Sequence, residues 1–179
     1  IHKLCPNIFL DLKLHDIPNT VEKGIKAINK LKPLLTTVHI SGGNEMMKAS
    51  IKSKNFTKVL GVSVLTSLDS KQIKKIYNET NIAILVKKLV KQAKINKLDG
   101  IICSPKEIKL VRKLVGKKFL IVTPGIRYEK NKVKKDDQKR TLTPQEAIKH
   151  GANLLVIGRP ITKSDNPLKI IKNINRSIK

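Results

Sequence analysis

Short runs of β-branched or apolar residues alternate along this chain with longer stretches whose apolar positions recur every three or four residues. The short runs are FLDLK from Phe9, TTVHI from Thr36, KVLGVSVL from Lys58, GIICS from Gly100, FLIVTP from Phe119 and LLVIG from Leu154. Helical patterns fall between and after them, at residues 21–32, 44–52, 70–77, 82–96, 105–115, 143–150 and 166–178. Strands alternating with helices predict an α/β fold built on a parallel sheet. The helix ends carry their own signals. Ser104 before Pro105 and Glu107, and Thr143 before Pro144 and Glu146, each place an N-cap ahead of a proline at the first helical position. Gly151 after His150 reads as a helix terminator.

Six such units could build an open doubly wound sheet, but no GxGxxG or Walker sequence marks a nucleotide-binding switch point. The other solution is a (β/α)₈ TIM barrel short of two units, since a full barrel takes about 250 residues and carries its catalytic groups on the C-terminal ends of its strands. At 179 residues, 40% of them hydrophobic, the chain can bury one sizeable core, and residues 1–179 are expected to form a single domain.

The segment FLDLKLHDIPNT, residues 9–20, breaks the apolar rule. Side chains alternate across a strand, so Asp11 and Lys13 are expected on one face, with Leu10, Leu12 and Leu14 on the other. Asp16 follows, and Pro18 must end the ladder. Charges at such a place either neutralise one another or act on something bound. Later loops add cations. Pro124-Gly125 makes a turn that carries Arg127, and Gly158-Arg159 combines close backbone approach with a guanidinium fork suited to phosphate, although a plain surface turn would use the same residues. Residues 128–140 are charged and nearly free of apolar side chains, the composition of a lid that orders over an anion. The GG after TTVHI reads as a tight turn. His15 and His39 lack metal-ligand spacing and read as structural histidines.

Charge adds a further possibility: 38 Lys+Arg against 13 Asp+Glu gives a formal +25. Alone this points to a polyanion partner. The lysines are spread over nearly every helix, however, and only 3% of residues are aromatic, which leaves little to stack bases on. A solvated cationic coat that favours an anionic substrate is the simpler reading, with neither nucleic acid nor membrane as partner. No apolar run approaches the length of a membrane span, and the start lacks the order of a secretion signal, so a cytoplasmic protein is expected. Cys5 and Cys103 are expected to be buried, reduced thiols.

The string DxKxxDIPNT closely resembles the signature of the orotidine 5'-phosphate decarboxylase family, and VHISGGNEMM, SVLTS, DGIICSPKE, VTPGIR, DDQKR and IGRPIT follow in the family's order. Phosphosugar decarboxylases of the same superfamily share DxKxxD without the IPNT. The resemblance implies a barrel in which FLDLK is the third strand, so that the chain lacks the first two βα units, together with one Asp and one Lys of the family's charge array. It further implies decarboxylation of orotidine 5'-phosphate to UMP without a cofactor or metal. Asp11 would crowd the departing carboxylate, Lys13 would protonate the carbanion at C6, and Asp16 would keep Lys13 charged and aimed. Asp16, Ile17 and Thr20 would serve the neighbouring subunit's site in a homodimer. Thr66 would contact the nucleotide, while Arg127, Gln138, Gly158 and Arg159 would hold the phosphate. By the same resemblance, the 179-residue chain alone is expected to be unstable or inactive. A phosphosugar lyase and a basic nucleic-acid-binding protein stay open beside this reading.

Overall fold

A computed structural model of the chain describes Cys5, residues 7–127 and residues 141–178. All six expected strands form: β1 (Phe9–Leu14), β2 (Leu35–His39), β3 (Lys58–Val62), β4 (Gly100–Ile102), β5 (Leu120–Thr123) and β6 (Leu154–Leu155). They pair in parallel in the order β1-β2-β3-β4-β5-β6. A doubly wound sheet would reverse that order at a switch point. Unbroken succession is instead the winding of a (β/α)₈ barrel, and the six strands match part of one.

Helices carry the crossovers: α1 (Pro18–Leu31), α2 (Gly43–Ser53), α3 (Ser70–Tyr77), α4 (Ile82–Ile95), α5 (Ile108–Val115) and α6 (Pro144–His150), with α7 (Arg159–Thr162) and α8 (Pro167–Ser177) after β6. Each expected helix is present within a few residues. The capping signals act as read: Thr143 accepts from the Glu146 amide while the Glu146 carboxylate accepts from the Thr143 amide at 2.9 Å. Gly151 adopts φ +109° and closes α6. Ser104 instead caps a single 3₁₀ turn, Pro105–Glu107, that leads into α5. The short α7 departs from the sequence pattern, because four residues hold no helical period and IGRPIT reads as a loop.

The two faces of the sheet are packed differently. Outward-facing Val38, Val59, Ile101 and Ile121 are fully buried beneath helices, against Val21, Ile25 and Ile28 of α1, Met46 and Met47 of α2 and Val86 and Val90 of α4. Inward, a smaller cluster forms from Leu35, Leu60 and Val122, with Phe9, Ile102 and Leu120 packed on it. Register aligns Thr37, Leu60, Gly100 and Leu120 across this inner face, and one step further His39, Val62, Ile102, Val122 and Leu154. Gly100 is required there, since a Cβ would lie 2.5 Å from the Leu120 carbonyl oxygen. Of the cysteines, Cys103 is buried as expected and its thiol is pushed above the ordinary range by burial and by Glu107. Cys5 corrects the expectation: it is exposed, and both thiols are free.

At the opposite end of the sheet from the strand C-termini, Arg112 of α5 acts as a clasp. Its guanidinium donates to the carbonyls of Gly151 (2.7 Å) and Phe119 (2.9 Å), to that of Gly116, and to the Asn153 side-chain oxygen (2.6 Å), which also accepts from the Ile121 amide. One planar cation thus joins the ends of α5 and α6 to the starts of β5 and β6. Burial holds its pKa below the usual arginine value. Arg112→Ala strands several partly desolvated acceptors together, and should lower unfolding free energy by about 3 kcal/mol, read as a shift of the urea midpoint. Arg112→Lys, with no fork, should recover little of it.

Candidate active site

Parallel pairing brings every strand C-terminus to one rim, where β1, β3, β5 and β6 lead into the candidate residues. β1 departs from simple alternation. Leu10 pairs with Thr36 and Leu14 with Val38, so four residues of β1 span two of β2. The excess is absorbed as a bulge in which Lys13 takes a left-handed backbone, φ +51°. A lysine so placed is uncommon and marks a strained position. The bulge overturns the expected apolar face: Leu12 is 51% exposed, whereas Leu14 packs towards Gly24 of α1.

Asp11 and Lys13 nonetheless meet, Nζ to Oδ2 at 2.5 Å. Their side chains are 39% and 40% exposed, so the pair is open to solvent and adds little to stability. The second carboxylate oxygen of Asp11 accepts from the hydroxyl of Thr37 at 2.7 Å, and that hydroxyl accepts from the Lys13 backbone N–H at 2.8 Å. Thr37 is fully buried on the inner face of β2. Nothing in the sequence reading singled it out; a threonine in a β-branched run looks like strand propensity, and only the registration of β2 against a bulged β1 gives its hydroxyl a task.

Asp16 does not reach Lys13. Its Oδ1 accepts from the Ile17 amide at 2.7 Å, in a local turn that hands the chain to Pro18 at the start of α1. Among the described residues no ion pair links Asp16 to Lys13, so within this chain Asp16 does not aim that lysine. Asp16, Ile17 and Thr20 are all exposed, Ile17 at 65%, and His15, Asp16, Ile17 and Pro18 border an open cleft of about 520 Å³ with Ser41 and Gly42.

The remaining candidates sit farther round the rim. Thr66 is half-buried in a turn beyond β3. Gly125 takes φ +76°, as a Pro-Gly turn requires, and Arg127 follows, held by backbone pairing to Leu142 and donating its Nη1 to the Ile126 carbonyl at 3.0 Å. Gly158 caps α7 and its carbonyl accepts from the Ile161 and Thr162 amides, while Arg159 begins that helix, half-buried. A Cβ on Gly158 would meet nothing within 4 Å. Gln138 and the expected lid at 128–140 lie outside the described residues. No cluster of three metal-ligating side chains occurs among the described residues.

His15 and His39 stack beside the charged pair with ring centroids 5.1 Å apart. Their spacing along the chain predicts no partner for either; the fold makes them each other's. Burial first, then the positive neighbours His15 and Lys13, hold His39 below its ordinary value of 6.5, against a smaller opposing pull from Asp11. A histidine depressed on folding binds fewer protons in the native than in the unfolded state, so stability rises with pH between the folded value and about 6.5 and is lost on acidification through that window. The unfolding temperature should therefore fall as pH drops below about 6.5. His39→Gln should flatten that part of the profile, checked by thermal unfolding at matched ionic strength.

Comparison with known proteins agrees with this geometry. Residues 1–174 match the model of the "Orotidine 5'-phosphate decarboxylase / HUMPS family". The chain is 43% identical over 178 residues to the orotidine 5'-phosphate decarboxylase of Coxiella burnetii, covering 96% of this chain and 75% of that protein. It is 45% identical over 166 residues to that of Aquifex aeolicus, covering 92% and 71%. Among solved structures, that of the orotidine 5'-phosphate decarboxylase from Lactobacillus acidophilus superposes with a TM-score of 0.83 at 38% identity, over 97% of this chain and 75% of that one. A charged pair on β1, cationic turns after β5 and β6, one-sense winding and these likenesses converge: the chain belongs to the orotidine 5'-phosphate decarboxylase family.

Proposed function

We propose that this protein decarboxylates orotidine 5'-phosphate to UMP in pyrimidine biosynthesis. The observation that carries the reading is the Asp11–Lys13 pair, 2.5 Å apart on the rim of a one-sense parallel sheet. Loss of CO₂ from C6 of the pyrimidine leaves a carbanion with no adjacent carbonyl to delocalise it, so stabilisation has to be electrostatic. Asp11 would press against the departing carboxylate. Lys13 would stabilise the developing carbanion and deliver a proton to C6. Asp16, Ile17 and Thr20, turned outward and exposed, would act on the neighbouring subunit's substrate in a homodimer, which also accounts for the exposure of a large apolar side chain at Ile17. Thr66 would contact the nucleotide, and Arg127, Gln138, Gly158 and Arg159 its phosphate. Among the described residues no helix is long and apolar enough to cross a membrane, and such chemistry belongs in the cytoplasm.

One charge pair at about 4 Å is worth about 4 kcal/mol at an effective dielectric near 20, well short of the ~8–23 kcal/mol that enzymes remove from barriers. Binding energy from the remote phosphate must then be realised at the transition state. With protein expressed from its own reading frame, the orotidylate absorbance should decay without added Mg²⁺, and UMP should compete. Strict Mg²⁺ dependence with indifference to UMP would identify a phosphosugar lyase instead. Lys13→Ala should abolish turnover while leaving the fold intact, because that side chain is partly exposed and its ammonium pairs with a solvent-open carboxylate. Arg159→Ala should lower kcat as well as raise KM; a change in KM alone would show that the phosphate contributes only uniform binding.

A further inference from the structure

We propose that Thr37 is the positioning residue of this site, setting the geometry of the Asp11–Lys13 pair without touching substrate. The inference rests on the decarboxylase reading for its kinetic consequence, but on geometry alone for its structural one. Four groups form a closed circuit: the Lys13 backbone N–H donates to Thr37 Oγ1, the Thr37 hydroxyl donates to Asp11 Oδ1, and Asp11 Oδ2 accepts from Lys13 Nζ. The direction of the hydroxyl is forced. A backbone N–H can only donate and a carboxylate can only accept, so the one proton on Oγ1 must go to Asp11.

The circuit replaces what the bulge removes. Where register slips between Leu10 and Leu14, the Lys13 N–H gives its hydrogen to the Thr37 side chain, and on the opposite face the Thr36 hydroxyl donates to the Leu10 carbonyl at 2.9 Å. Two adjacent threonines, one on each face of β2, thus bind both sides of the bulge. Thr37 itself cannot drift: it is fully buried and paired in unbroken register with Leu60 of β3. A rigid interior strand is thereby linked through one hydroxyl to the left-handed backbone of the lysine and to the orientation of the carboxylate it faces. Lys13 reaches solvent with its ammonium while its backbone is fixed from beneath.

The test compares wild type with Thr37→Val, which keeps the shape and loses the hydroxyl, and Thr37→Ser, which keeps the hydroxyl, each expressed from the native reading frame. Acetylation by a dilute amine-reactive reagent at fixed pH, read residue by residue by mass spectrometry, reports whether each lysine is held in its pair. Lys54, paired with Asp99 at the far end of the sheet, is the internal control. In Thr37→Val, Lys13 should label several-fold faster relative to Lys54, and Thr37→Ser should restore the ratio. Equal acceleration of both lysines would mean a merely structural role, and an unchanged ratio would mean no role; either overturns the proposal. In the kinetic arm kcat should fall by about tenfold to a hundredfold in Thr37→Val, with KM within about threefold, and recover in Thr37→Ser. A rise in KM with kcat unchanged overturns the proposal. If the wild type does not decarboxylate orotidylate, the assigned reaction fails, and the labelling ratio still decides the placement of Lys13.

Discussion

Parallel pairing with a helix in every crossover collects the C-terminal ends of all six strands on one rim, and the site depends on that constraint. The outer face is largely apolar because helices cover it, which leaves most polar chemistry to the inner face and the strand ends. β2 shows the division within five residues: Thr36 and Val38 face the helices, whereas Leu35, Thr37 and His39 face inward and grow more polar towards the rim. The gradient from Leu35 to His39 carries the inner face from core to site.

The bulge in β1 adds what pairing alone could not. A regular strand would have carried Asp11 and Lys13 from the inner face as two parallel side chains; the left-handed Lys13 folds the strand end so that its ammonium returns to the carboxylate two residues earlier. Such a backbone costs on the order of 1 kcal/mol or more. The half-exposed ion pair does not offset that by itself. Hydrogen bonds from Thr36 and to Thr37, both anchored in a buried strand, make the conformation the one in which the backbone groups of the bulge are satisfied.

Much of this was legible in the chain. The strands and helices followed from periodicity, the helix ends at Thr143 and Gly151 from capping chemistry, and the rim position of Asp11 and Lys13 from a charged strand end. The rest depended on relations between strands. A sequence read one strand at a time predicts alternation for Leu10 to Leu14, and cannot see the register slip that exposes Leu12. For the same reason Thr37 looked like ordinary β-branched filler and His39 like an isolated ring. Asp16 was legible as a charge but not as a direction: the turn into Pro18 uses its carboxylate locally. Cys5 was misjudged from apolar neighbours, which do not bury a residue that lies before the first strand.

The large positive charge now divides into two roles. Pairs such as Lys26 with Glu22 and Lys48 with Glu45 lie on exposed helix faces, where they are worth little. At physiological salt the field of a surface charge decays within about 8 Å, so lysines on the outer helices act mainly on the approach of an anion, raising its encounter rate in a salt-dependent way. Arg127 and Arg159 differ in kind, because each follows a strand end and is tied to the rim by its backbone: Arg127 through Leu142, Arg159 through the turn of α7. Composition alone points towards a polyanion; the fold separates the cations tied to the rim from those spread over the outer helices. A charge held at the rim can distinguish a transition state from a bound substrate; one spread over the surface cannot.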